Sequence, residues 1–489
     1  MILPWILIVP FIGGVLALGG RARAWPRYAA CAALALDTFL LVWLWGRLSA
    51  AGDSVRWIAE YTVPWIPQLG INFHLAMDGL SLLMALLTCG VGLAALVGFW
   101  GVERKNEGFF IFLFMAAISS LLGVFLAADL MLFFIFFEVM LLPAFALIAI
   151  WGNEDRRRAA IRFFIFTQAG GLLMLVSILG LYVSHYNATG GPSFAYADLL
   201  ESAPESGFSM LFLCGFLIAF AVKLPIVPFH SWQPAAYASA PPEASILLSA
   251  LMAKTAGYGL LRFAIPFFPA EAAKIAPYAM VFGVVTILYA SWLAFAQDDL
   301  KRIIAYSSAA HLGFIVLGAF SMNDLGQRGA LVQMISHGVS VTGLFLIAGV
   351  LEQRTGSRDL SKFGGLWRRA PGLGGVSLVF VLATLGLPGL GNFIGEFMIL
   401  AGAFQAYPVI AAIGVGGAVL SAAYSLRVMQ RVFYGPATGD PAQGDAPALV
   451  LVVSGLLITA LVFIGIYPRP ILDAARTAVT SAHVQKDLP

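Results

Sequence analysis

Five ionisable residues stand where hydrocarbon should exclude them. Glu138 lies in MLFFIFFEVMLLP, Lys223 in AFAVKLPIVPFHSW, Lys254 in ILLSALMAKTAGYGLLRF, His337 in QMISHGVSVTG and Glu396 in GNFIGEFMIL. Each sits well inside a long apolar run. A charge in a bilayer is costly and is retained for function or for a counter-charge. All five side chains titrate and can be bridged by water, so the chemistry they suggest is proton transfer. His230, beside the prolines after Lys223, and His311 (SSAAHLGF) are secondary candidates. Asp37 is also buried by pattern, but no partner or role is assigned to it. No serine or cysteine nucleophile accompanies a base, and the histidines lie on separate runs without metal-ligand spacing. Cys31, Cys89 and Cys214 are far apart, and no GxGxxG or Walker-type loop joins a strand to a helix. No cofactor or metal is therefore expected in this chain.

The local sequence around each residue sharpens the reading. After Lys223, Pro225 cannot donate to the carbonyl of Ala221, nor Pro228 to that of Leu224. A broken helix then offers an ammonium free carbonyls and room for water. The alternative is that Lys223 snorkels to the interface. Glu138 has nothing polar beside it in sequence, and Lys223 is its candidate partner; a purely structural ion pair is the alternative. A contact pair of unit charges about 4 Å apart is worth about 4 kcal/mol at an effective dielectric of 20. Moving one charge against about 180 mV costs about the same. Lys254 has no carboxylate in its own run, which makes it a candidate proton carrier. Gly257 and Gly259, one turn on, predict close helix approach or water there.

The elements that must hold these residues are membrane helices. Of 489 residues, 60% are hydrophobic and 11% charged, against about 25% charged in a soluble protein. A net charge of +3 gives no reason to expect a nucleic-acid partner. Apolar runs recur at 2–20, 28–48, 79–100, 108–126, 129–150, 160–185, 207–225, 243–265, 277–297, 302–320, 328–351, 373–403, 408–433 and 447–467. They predict an all-α polytopic membrane protein of fourteen helices, one transmembrane domain over 1–489. The first run has no basic residue before it, so a retained span is expected rather than a cleaved signal. Loops after odd-numbered runs hold eighteen Lys and Arg, those after even-numbered runs eight. The odd loops are therefore expected in the cytoplasm and both termini outside. The acidic 186–206 loop, with Asp198, Glu201 and Glu205, fits the outer side. Runs 7 (KLPIVP) and 12 (LGLPGLGNFIGEF) are interrupted at Pro225 and Pro388, five helices apart. That spacing predicts two inverted units, 108–265 and 277–433.

With these residues in view, the chain is identified as resembling the antiporter-like M subunits of the proton-pumping NADH:quinone oxidoreductase, respiratory complex I. The matching stretches run from end to end: MILPWILIVPFIGG, HLAMDGLSLLM, FFIFFEVMLLP, FFIFTQAGGLLML, FAVKLPIVPFHSW, KTAGYGLLRF, LKRIIAYSSAAHLGF, QMISHGVS and ATLGLPGLGNFIGEFMIL. The resemblance implies that Glu138 and Lys223 are a coupled pair, Lys254 the central proton-carrying lysine, Glu396 the terminal group of the outlet, and His337 and His311 linings of the polar axis. It implies sister antiporter-like subunits on either side in the bacterial inner membrane. NADH, FMN, iron–sulfur clusters and quinone would belong to partner subunits. An acidic residue at 396 is similar to the M subunit, where sister subunits carry lysine. One stretch departs from the family pattern: in HSWQPAAYASAPPEAS, Gln233, Ala235, Tyr237 and Pro242 replace the common Leu, Asp, His and Thr. The alternative reading is a subunit of a multisubunit Na+/H+ antiporter or of a membrane-bound hydrogenase.

Overall fold

The structure is a computed structural model that describes residues 1–19, 24–51, 57–202, 207–436 and 444–475. Arg21, Arg23, Arg56, Glu205, Arg476 and Lys486, used above to orient the chain, lie outside the described residues. In chain order the apolar helices are α1 (Ile2–Leu18), α2 (Trp25–Ala51), α3 (Gly79–Gly98), α4 (Glu107–Leu126), α5 (Leu130–Trp151), α6 (Arg156–Thr189) and α7 (Ser209–Lys223). They continue with α8 (Pro242–Phe267), α9 (Pro269–Ala296), α10 (Leu300–Ala319), α11 (Asp324–Thr355), α12 in two pieces (Pro371–Thr384 and Gly391–Ala406), α13 (Pro408–Val432) and α14 (Ala448–Ile466). Every apolar run read from the sequence falls on one of these. Among the described residues, eleven helices are long and apolar enough to cross a membrane, and α1, α7 and the first piece of α12 are shorter apolar helices.

Helix ends follow capping chemistry. Asp78, Asp129, Asp299 and Asn323 each accept a backbone N–H at the start of α3, α5, α10 and α11, which satisfies donors that have no helical partner. The sequence reading missed one element. Ala59–Ile66 (β1) and Ile71–Met77 (β2) form an antiparallel hairpin between α2 and α3. The segment is rich in Thr, Val, Tyr, Trp, Phe and Ile, as strands are, but too short and too polar to register as a span. Its turn needs Gly70 at φ 69°, and a side chain there would meet the Pro192 carbonyl.

Burial sorts the helices. In α8 and α11, 94% of the apolar window is buried inside the protein, and in α10 89%. By contrast α2, α13 and α14 bury only 33% and turn residues such as Phe39, Val419 and Leu456 outward. Apolar outward faces are what a bilayer selects. The ionisable residues at 254, 311 and 337 therefore ride on the three innermost helices. Helix α10 packs on both α9 and α11, and α11 on the second piece of α12, which gathers these helices around one axis.

One end of the bundle collects basic loops. Arg104 pairs with Glu243 at the start of α8. Lys301 reaches Glu352 at 2.6 Å and the Ala240 carbonyl at 3.1 Å. Arg358 pairs with Asp299 at 3.2 Å and donates to the Ala238 carbonyl. Three basic residues from loops expected on a common side thus converge on the linker between α7 and α8.

A buried polar line as the candidate functional site

Lys254 sits in a locally unusual helix. The six α-helical residues Lys254–Gly259 lie between two π-helical stretches, Leu247–Met252 and Leu260–Ala264. Wide turns of this kind recur at functional sites. Fully buried, Lys254 donates from Nζ to the Ser249 carbonyl at 2.6 Å, five residues back. The same Nζ lies 2.7 Å from Nδ1 of His337 on α11. Close approach is what the two glycines provide: Gly257 faces Met334 and Gly259 faces the Phe220 ring.

From His337 the polar contacts continue. Its ring centre lies 5.3 Å from that of His311 on α10. His311 Nδ1 is 2.9 Å from Glu396 Oε1, and the Gln333 amide donates to the same oxygen at 3.1 Å. Lys254, His337, His311 and Glu396 thus form one line across α8, α11, α10 and α12. The Nε2 atoms of both histidines, Gln333 Oε1, Ser336 Oγ and Asn392 Oδ1 are buried with no partner among the described residues. Buried polar atoms without partners are rare and call for water.

The break in α12 runs over Leu385–Leu390 and is built by Gly386 (φ 77°) and Gly389 (φ 96°), conformations that only glycine adopts freely. A side chain at Gly386 would lie 3.1 Å from Glu396 Oε2, so the break leaves the second carboxylate oxygen room.

Glu138 and Lys223 form a separate pair. Helix α5 is interrupted at Met140, three residues before Pro143, and Glu138 occupies the last turn before the interruption. Each charge acts on the other, yet among the described residues no ion pair closes between them. Gln168 also acts on the Glu138 carboxylate without closing a hydrogen bond. Gly171 packs against this carboxylate so tightly that a side chain there would collide with it. The freed carbonyls of α7 do not hold Lys223 as the prolines suggested. The freed Ala221 oxygen is taken by the Ile226 N–H at 2.8 Å, and the neighbouring Val222 oxygen by Trp232 at 2.9 Å. Instead Lys223 crosses to α5, where Nζ donates to the Phe137 carbonyl at 3.2 Å and lies 3.5 Å from the Phe137 ring centre. A carbonyl and an aromatic face both stabilise an ammonium.

His230 stands apart, half-buried against Tyr289 with ring centres 5.4 Å apart. Asp37 is buried, and neither of its oxygens has a partner among the described residues. In the divergent linker, Gln233 donates to the Ala305 carbonyl at 2.7 Å and Tyr237 to the Leu248 carbonyl at 3.1 Å. The sequence reading overlooked Gln333, although it lies four residues before His337 and so on the same face of α11.

Known proteins place this architecture in a class. The family described as NADH:quinone oxidoreductase/Mrp antiporter, TM, matches residues 127–421, so the fold is that of antiporter-type membrane subunits. The chain is 44% identical to NADH-quinone oxidoreductase subunit M of Escherichia coli (strain K12), over 98% of this chain and 97% of that one. It superposes on a chain of respiratory complex I from Thermus thermophilus with a TM-score of 0.90 at 31% identity, covering 99% of both chains. The Mrp complex of Dietzia sp. DQ12-45-1b shares the fold (TM-score 0.88, 99% and 98% coverage) at 20% identity. The chain belongs to the NADH-quinone oxidoreductase subunit M family.

Proposed function

We propose that this chain translocates protons as a membrane subunit of an NADH:quinone oxidoreductase. Lys254 carries the proton, His337 and His311 relay it, and Glu396 releases it. Glu138 and Lys223 respond to neighbouring subunits and set the charge that Lys254 feels. One observation carries the reading: polar contacts lead from Lys254 to His337 and from His311 to Glu396 through the buried helices, with the two imidazole rings 5.3 Å apart between their centres. Because Glu138 and Lys223 are not in contact, their coupling is weaker here than the contact value of about 4 kcal/mol, and closing them supplies the difference, up to that size.

In this reading the two interrupted helices belong to inverted units over 108–265 and 277–433. The basic end with Arg104, Lys301 and Arg358 faces the cytoplasm of a bacterial inner membrane, and both termini lie outside. Sister antiporter-like subunits flank the chain, and NADH, FMN, iron–sulfur clusters and quinone belong to other subunits of the assembly. The naming of the relatives supports this division of labour.

Lys254→Arg tests the proposal. Arginine keeps the positive charge but does not release its proton. The assembled complex should lose proton pumping and coupled quinone reduction in membrane vesicles. An arginine variant that pumps at the wild-type ratio removes Lys254 as the carrier.

A further inference from the structure

The second half of α8 carries polar groups that the line to Glu396 does not use. Tyr258 stands one α-helical turn beyond Lys254 on the same face. Its hydroxyl donates to the Phe125 carbonyl at 3.0 Å and lies 3.2 Å from Ser81 Oγ. Asp78, which caps α3, accepts the Ser81 N–H at 3.0 Å and pairs with Arg262. The Arg262 guanidinium lies 5.5 Å from the ring centres of Trp57 and Tyr258 and 5.8 Å from that of Tyr196. Asp78, Ser81, Tyr258 and Arg262 are all buried, at the end of the bundle opposite Arg104, Lys301 and Arg358.

These groups trace a second way out. Tyr258 and Ser81 lie in the direction from Lys254 toward the Asp78 carboxylate, so a proton that left that way would never reach His337. Such a step would short-circuit the pump. Each link is blocked. The Tyr258 proton points at a carbonyl, which cannot pass it on. The Asp78 oxygens are occupied by an amide and by a guanidinium. The guanidinium is a fixed cation that repels an approaching proton, as an arginine does in channels that exclude protons. We propose that Asp78, Arg262 and Tyr258 form a proton seal that forces the proton on Lys254 toward His337. The inference rests on the reading of Lys254 as the carrier.

The test measures passive permeability of the resting complex in proteoliposomes. A pH gradient is imposed with potassium and valinomycin clamping the voltage, and its decay is followed with a pH-sensitive dye. Arg262→Gln should raise proton permeability on the order of tenfold. Adding Lys254→Met should return it to the wild-type value. A tight Arg262→Gln complex overturns the seal, and so does a leaky double variant, because the proton then bypasses Lys254. Should Arg262→Gln not assemble, Arg262→Lys serves: an ammonium lacks the fork and can release a proton, so a several-fold leak is expected and wild-type tightness overturns the seal. The two failures separate. If the carrier reading is wrong, Lys254→Met alone pumps as wild type; if only the seal is wrong, Lys254→Met stops pumping while Arg262→Gln stays tight.

Discussion

Gln333→Met is the most informative perturbation of the outlet. The Glu396 carboxylate receives two close polar contacts on Oε1, from His311 Nδ1 at 2.9 Å and from the Gln333 amide at 3.1 Å. Methionine fills nearly the volume of glutamine, so packing against α12 is kept while the amide is lost. A hydrogen bond to a charged group contributes about 1.5–3 kcal/mol. Its loss makes the ionised form of Glu396 costlier by that amount. Each 1.36 kcal/mol is a tenfold effect, so proton release should slow roughly ten- to hundredfold. The assay pairs NADH-driven dye quenching in proteoliposomes with NADH oxidation by an artificial acceptor that bypasses the membrane arm. Pumping and coupled quinone reduction should fall together, and the artificial reaction should stay at the wild-type rate. If the methionine variant pumps normally between pH 6 and 9, the amide does not assist Glu396 and the line must end elsewhere.

Two further outcomes follow from the geometry. Gly171→Ala puts a methyl group into the space of the Glu138 carboxylate, so the carboxylate must move; coupled activity should drop although no charge changes, and wild-type pumping in an assembled Gly171→Ala complex would refute a role for Glu138 position. Asp445 caps the first piece of α12 through the N–H groups of Gly372 (2.6 Å) and Leu373 (2.9 Å). Partial burial pushes its carboxyl up, but the N–H groups of Leu373, Ala446 and Gly372 and the Arg354 charge outweigh this and hold it below the usual carboxylate range. The carboxylate therefore contributes stability above its unfolded value near 4, and that contribution is lost as pH falls through the depressed folded value. Asp445→Ala should cost about 0.5 kcal/mol, the low end for a cap because the site is exposed, read as a lower unfolding temperature at pH 7 that converges with wild type at strongly acid pH.

Legibility from sequence differed by scale. The spans could be read because every long helix must be apolar over some twenty residues in lipid. The two interruptions could be read because proline and glycine leave fixed backbone consequences. Glu138, Lys223, Lys254, His337 and Glu396 stood out because ionisable residues are scarce in these runs. What joins them was not legible. His311 looked no stronger than His230, yet one closes on Glu396 and the other rests against Tyr289, since contacts between separate helices leave no spacing in the chain. Lys223 was matched to carbonyls freed in its own helix, while the fold gives the Ala221 carbonyl to Ile226 and sends the ammonium to Phe137. Widened helical turns carry no residue signature, so the setting of Lys254 appeared only in three dimensions.

That setting has a mechanical consequence. Each widened stretch of α8 holds a surplus residue relative to a regular helix, and one residue of a regular helix spans about 100° of rotation. If one stretch tightens as the other relaxes, the short segment between them swivels while the start of α8 stays anchored through Glu243 on Arg104. Lys254 rides on that segment like a bead on a turning spindle. A swing of its ammonium away from His337 would then call for adjustment only where that segment packs, at Met334, Phe220 and the Tyr258 contacts.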